Sequence, residues 1–170
     1  MNKTILKYGL ISGAIASALM LISALYYHQT SNFKNGEVFG YAGILLSMLF
    51  VYFGTRAYRD RQEGGKMSFL KAFEVSLLIT LISCLCYVVT WMFVYEFIMP
   101  DFMDKFADHM VEQMKVSGAG EEQIRQEMAK MEEYKAMYRS PLKRFALTFI
   151  EPFPVGLLVS IVSSIVLRRK

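Results

Sequence analysis

A chain of 170 residues that is 54% hydrophobic and only 20% charged holds more apolar residues than an ordinary soluble core of that length requires. Formal net charge is +4, but Lys and Arg crowd the ends of apolar blocks, which suits lipid headgroups better than a nucleic-acid groove. No strip of basic residues interleaved with stacking aromatics occurs, so nucleic acid is not an expected partner.

Residues 8–27 are twenty consecutive uncharged positions, close to the ~20 that cross the hydrocarbon layer at a rise of ~1.5 Å per residue. The start Met1-Asn2-Lys3-Thr4-Ile5-Leu6-Lys7 has the basic end of a signal peptide. The apolar run nevertheless exceeds the usual ~7–15 residue signal core and no small-residue cleavage site follows, which predicts an uncleaved first span. Three more uncharged blocks follow at 38–55, 75–95 and 145–167, the last interrupted by one charge, Glu151. Aromatic residues gather near the block ends, including Tyr26, Tyr27, Tyr41, Trp91 and Phe145, as expected at headgroup depth. Backbone groups in hydrocarbon must be satisfied within each segment, so the blocks are helices. The expected fold is all-α: a single polytopic membrane domain, 1–170, with four transmembrane helices at about 8–27, 38–56, 74–97 and 143–167.

Small residues mark where helices approach. Gly9 and Gly13 form a small-xxx-small pair in the first span, and Gly36, Gly40, Gly43 and Ser47 suggest a second close-packing edge in the next. Packing within the monomer is favoured over dimerisation, and a homo-oligomer stays open. Cys84 and Cys86, two apart on a helix, point to nearly opposite sides and read as small apolar fillers.

The basic residues set an orientation. Lys3 and Lys7, the string Arg56, Arg59, Arg61, Lys66 and Lys71 in the middle loop, and Arg168, Arg169 and Lys170 make ten on one side. The short loop after the first span has only Lys34, and Lys143 and Arg144 before the fourth span count the other way. Both termini are therefore expected in the cytoplasm. Gly64-Gly65-Lys66 lacks the spacing and the Ser or Thr of a phosphate loop and reads as a turn before Ser68 caps the third helix.

The segment 98–142 is the one sizeable polar region, expected on the extracytoplasmic face. Met99, Phe102, Met103, Phe106, Met110 and Met114 recur at helical spacing, with Asp101 after Pro100 as N-cap. Ser117-Gly118-Ala119-Gly120 ends that helix, and Ile124, Met128, Met131 and Tyr138 make a second stripe before Ser140-Pro141 restarts a helix. An amphipathic helical hairpin is predicted, folded on itself or lying on the membrane surface. Seven of the twelve methionines lie in this segment, near His109; thioether and imidazole would suit Cu(I), but packing explains the stripe and no metal or other cofactor is expected.

Several strings, in order and spacing, carry a likeness to a known family. They are Tyr8-Gly9 with Gly13; Arg56-Ala57-Tyr58-Arg59-Asp60 followed by Gly64-Gly65 and Ser68-Phe69; Tyr95 through Pro100-Asp101-Phe102; and Glu151-Pro152-Phe153-Pro154-Val155-Gly156. On these the chain resembles, over nearly its whole length, the bacterial membrane-protein family catalogued as domain of unknown function 4199. The resemblance implies a bacterial cytoplasmic membrane and this architecture, with no activity, substrate or cofactor attached.

Glu151 is the residue that most invites a function. A carboxylate inside a span costs ~2.5–3.5 kcal/mol at the bilayer centre and less near the interface. Glu151 lies six residues after Phe145, about 9 Å in by helical rise. Pro152 and Pro154 cannot donate to the carbonyls of Thr148 and Ile150, so a kink is expected there. A kink, freed carbonyls and a carboxylate at one depth could hold a proton or cation; alternatively Glu151 bonds a Tyr hydroxyl or a basic partner and holds the bundle together. Glu96 and His28, at the ends of the third and first spans, should sit near the same face and could share a polar pocket with it. The leading functional reading is a non-enzymatic accessory or interaction protein that meets a protein partner or the bilayer through 98–142. The alternative is a small transporter or channel subunit using Glu151; a membrane enzyme comes last, since no nucleophile with a base or paired carboxylates is apparent.

Overall fold

The computed structural model describes residues 2–30 and 36–168. Lys34, Arg169 and Lys170, three of the residues that oriented the chain, lie outside the described residues. Seven helices follow in order: α1 (Lys3–Thr30), α2 (Gly36–Gln62), α3 (Phe69–Phe97), α4 (Phe102–Val116), α5 (Glu121–Arg139), α6 (Pro141–Ile150) and α7 (Pro152–Leu167). Among the described residues there is no strand. Four stretches are long and apolar enough to cross a membrane: Lys3–Thr30, Val38–Arg61, Phe69–Phe97 and Pro141–Leu167. Their outward faces carry large apolar side chains such as Ile22, Leu46, Val89, Leu158 and Val162, each more than half exposed. So wide an apolar surface is stable against lipid and not against water. The protein is a multi-pass membrane protein.

The helices outrun the uncharged blocks. Arg56, Arg59 and Arg61, expected in a loop, form the last turns of α2. Nothing breaks that helix before Gly64 and Gly65, whose φ of 58° and 83° only glycine adopts freely. Ser68 then caps α3, accepting from the Lys71 amide at 3.3 Å, as predicted.

Helices α1, α2, α7 and α3 form a ring in which each packs on its neighbours, with α2 also touching α3 across it. The termini end of the bundle is filled. Gly9 and Gly13 face α3 so closely that a Cβ on either would sit 2.7 Å from Ile82 Cβ and 2.6 Å from Cys86 Cβ. Gly54 does the same against Tyr8, and Gly156 against Thr80. Gly40, expected at a packing edge, has open space around it, and Gly43 makes only ordinary contact with Leu19 at 3.5 Å. A tighter α2 edge lies further down the helix at Gly54, where Tyr8 and Ile79 leave no room for a Cβ.

Buried hydroxyls join the same helices. The Ser12 hydroxyl donates to the Ser47 carbonyl and meets Ser83 Oγ, both at 2.8 Å, tying α1 to α2 and α3. Between α3 and α7, Thr80 Oγ1 meets Ser160 Oγ at 3.0 Å, and Ser76 meets Ser164 at 3.3 Å. Such bonds are each worth about 0.6–2 kcal/mol between membrane helices. Arg59, nearly buried, pairs with Asp60 and reaches the Leu167 carbonyl at the end of α7, where a cation complements the helix dipole.

Helices α4 and α5 pack on each other, joined by a turn with Gly118 at φ 78° and linked by a Lys135–Asp104 ion pair of 2.9 Å. Asp101 stands at the N-cap of α4 but makes no side-chain cap bond. Its carboxylate turns to Lys105 at 2.8 Å, and that hydrogen bond holds the carboxyl below its usual range. Met128, placed in the second apolar stripe, is mostly exposed, whereas Met131 is buried. Met99 and the Trp91–Phe102 edge contact, 4.9 Å between ring centres, seat α4 on α1 and α3.

Candidate functional site

At the hairpin end the ring does not close. The hairpin-end halves of α1, α2 and α3, with α6, surround a cleft of about 1020 Å³ that α4 and α5 roof. Pro152 and Pro154 explain part of its shape. They stop α6 at Ile150 and start α7 at Pro152, leaving Glu151 as the single joint, with helical dihedrals of −67° and −58°. The interruption falls where it was expected. Glu151 lines the cleft: its side chain is open to that space yet enclosed by the surrounding helices. The Tyr87 hydroxyl of α3 donates toward its carboxylate. Tyr138 of α5 lines the same cleft; burial, reinforced by the Glu151 charge, pushes its hydroxyl above its ordinary range. The buried indole N–H of Trp91 lies beside Tyr138, outside good hydrogen-bonding geometry and with no other partner among the described residues.

The other expected members of the site are elsewhere. Glu96 pairs with Arg144 at 3.1 Å and does not line the cleft. Arg144 was counted only as a basic residue against the orientation; in the structure it is almost fully buried. Its guanidinium stacks 4.2 Å from the centre of the Tyr95 ring, donates to the Tyr138 carbonyl at 3.3 Å and touches Met92 Sδ. One side chain thus holds α3, α5 and α6 together beside the cleft. His28, exposed in the last turn of α1, lies toward Asp101 of the hairpin. The three groups Glu151, Glu96 and His28 therefore do not form one pocket.

A family model described as protein of unknown function (DUF4199) matches residues 7–169. The chain belongs to the DUF4199 family. No curated protein and no solved structure matches it.

In this DUF4199 protein Glu151 meets aromatic hydroxyls; a Tyr hydroxyl was one of the partners expected, but which tyrosines was not. Tyr87 carried a signal: it stands eight residues inside its uncharged block, too deep for the interfacial belt, and a phenol at that depth needs a polar neighbour. Tyr138 carried none, because its approach to Glu151 depends on how α5 folds back over the bundle. Several hairpin methionines and His109 border the cleft: Met99, Met103 and Met131 are buried where they meet it, while Met110 and His109 are more open.

Proposed function

We propose that this protein is a non-enzymatic binding protein, an accessory component of a bacterial cytoplasmic membrane. Both termini lie in the cytoplasm in this reading, and the α4–α5 hairpin lies outside. The observation that carries it is the cleft itself, roofed by the hairpin and walled by the outer halves of the spans. Its volume is in the range of ligand pockets, ~300–1,000 Å³, and its walls are mostly apolar with a few polar groups, as such pockets are. The base is shut: beneath Ile44 the bundle is filled by Met48, Ser47, Ser83 and Thr80, all fully buried. A cleft closed below favours binding over passage, which places the transporter reading second. Burial of Arg144 in its pair with Glu96 also removes one residue from the exposed basic count of the outer side, in line with the proposed orientation.

Photo-crosslinking in native membranes tests the reading. A photoreactive residue at Met110, in the cleft, should capture a small molecule, while one at Leu158, facing lipid, should give only background. Equal capture at both positions, or capture only at Arg125 on the outward face of the hairpin, would overturn it. An impermeant maleimide should label a cysteine placed at Glu133 in intact cells and spare one at Lys66; the reverse pattern would invert the orientation.

A further inference from the structure

The charge on the cleft wall is one-sided although the whole chain is basic. Two carboxylates, Glu127 and Glu151, line it with one imidazole, His109, and among the described residues no Lys or Arg does. Glu127 has a counter-ion on the outer rim, Lys130 at 3.0 Å. Glu151 has none: the donor found for it among the described residues is the neutral Tyr87 hydroxyl. A carboxylate offers about four lone-pair sites, so one phenol leaves most of its capacity turned to the cleft. The Tyr87 and Tyr138 phenols stand near it, and the rings of Tyr41, Trp91 and Tyr134 line the same cleft. Aromatic faces attract cations, and more strongly where water is thinned out. Apolar side chains, among them Leu19, Met20, Met103 and Phe106, make up much of the rest of the wall. The arrangement is that of a cation subsite at the end of a hydrocarbon-lined slot.

Resting on the binding function above, we infer that the ligand is an amphiphilic organic cation, its ammonium-type head against Glu151 and the aromatic ring cluster and its apolar body along α1 and α4. A carboxylate held at membrane depth is costly alone, and a lipophilic cation arriving through the bilayer is the chemistry that offsets that cost. An anionic amphiphile would be repelled by the carboxylate, and a neutral one would leave it unpaired.

The chain contains one tryptophan, and it lines this cleft, so its fluorescence reports occupancy directly. Tetraphenylphosphonium and tetraphenylborate have matching shapes and opposite charges. Titrated into the full-length protein in mild detergent, the cation should change Trp91 emission saturably, and the anion should not. Glu151→Gln should weaken the cation by about tenfold or more, and Glu151→Asp, which keeps the charge, should stay within about threefold of wild type. The aspartate variant guards against mistaking misfolding for lost binding. Equal responses to cation and anion, or a Glu151→Gln protein that binds as wild type does, would overturn the inference while leaving the cleft a binding site. No response to either probe, together with background crosslinking at Met110, would remove the binding function as well. Repeating the titration in phosphatidylglycerol vesicles with and without phosphatidylethanolamine assigns the source. Competition identifies the ammonium head of the bilayer's own zwitterionic aminophospholipid as the group held at Glu151, and its absence identifies a free cationic amphiphile.

Discussion

At the termini end of the bundle, Thr80 and Ser76 of α3 meet Ser160 and Ser164 of α7 through hydroxyl bonds, and Gly156 brings the two backbones together. At the hairpin end the same helix α3 turns Tyr87 and Trp91 toward a cleft of about 1020 Å³. The change comes within a few turns, near the level where Pro152 and Pro154 interrupt the fourth span. Small side chains zip membrane helices because lipid gives no hydrophobic drive for their association, and close packing and hydrogen bonds must supply it. Bulky aromatics beside an interrupted helix do the opposite. The protein thus separates a half that holds the fold from a half left open as a cleft, and each half can be perturbed without the other.

The largest effect should come from filling the zipped half. A Cβ at Gly156 already collides with Thr80 Cγ2 and lies 3.3 Å from Met48 Cε. Gly156→Leu should therefore destabilise by about 3 kcal/mol or more, seen as a large fall in thermal midpoint in detergent and in membrane abundance. Gly40→Leu, with open space around the backbone, should stay within about 0.5 kcal/mol of wild type. If both variants melt alike, the two halves do not differ in packing and the comparison fails.

Next is the Arg144 clasp, which borders the open half. Arg144→Met removes the Tyr95 stacking, the bond to the Tyr138 carbonyl and the Glu96 pair together. A loss of about 2–3 kcal/mol is expected from a buried, multiply bonded guanidinium. Glu96 is 60% exposed, so Glu96→Gln should cost under about 1 kcal/mol. Arg144→Lys should fail to restore stability, since an ammonium cannot stack and fork at once. Thermal midpoints of the three variants check the order; a Glu96→Gln loss equal to that of Arg144→Met would make the ion pair, and not the stacking and carbonyl contacts, the source of the clasp.

A smaller effect sharpens the zipped side. Ser12→Ala removes a donor to the Ser47 carbonyl and a partner of Ser83, and about 1 kcal/mol should be lost. Ser17→Ala should cost less, because its bonds to Thr90 and the Cys86 carbonyl are only partly buried. Reversal of that order in thermal unfolding would separate bond strength from burial in this bundle.

How much of this was legible in the chain follows from the range of each interaction. The four spans could be read directly, because an uncharged run of twenty residues is a local property. The joint at Glu151 was equally local, since Pro152 and Pro154 act on carbonyls three to four positions back. Gly9 and Gly40 look alike in sequence, and only the presence of Ile82 near the first and of nothing near the second tells them apart. Small-xxx-small spacing permits an approach without naming the neighbour. Glu96 and Arg144 are 48 positions apart, and their pairing, which dissolves the expected Glu96–His28–Glu151 pocket, depends on where α5 returns to the bundle. The end of α2 was misplaced for a different reason: charge marks where hydrocarbon ends, whereas a helix continues until its backbone is broken, here at Gly64.

The smallest effect probes how firmly the roof is set over the cleft. Lys135 bonds Asp104 across the hairpin at 2.9 Å and Glu132 on its own helix at 3.1 Å. The Asp104 bond, then the Glu132 bond, raise its ammonium pKa above the ordinary 10.5. Because the folded value is the higher one, the contribution is fully present below the unfolded value and is lost as pH rises through the folded one. Solvent screens the pair, so Lys135→Met should cost at most about 1 kcal/mol, and less in high salt. Spin labels at Glu112 and Glu133 would show it: the α4–α5 distance distribution of wild type should broaden above pH 10.5, and that of Lys135→Met should already be broad at neutral pH. A distribution that is narrow and unchanged in both would mean that Met99 and the Trp91–Phe102 contact alone fix the hairpin. The open half would then be a preformed slot, and ligand entry would have to come from the lipid side between helices, without any movement of the roof.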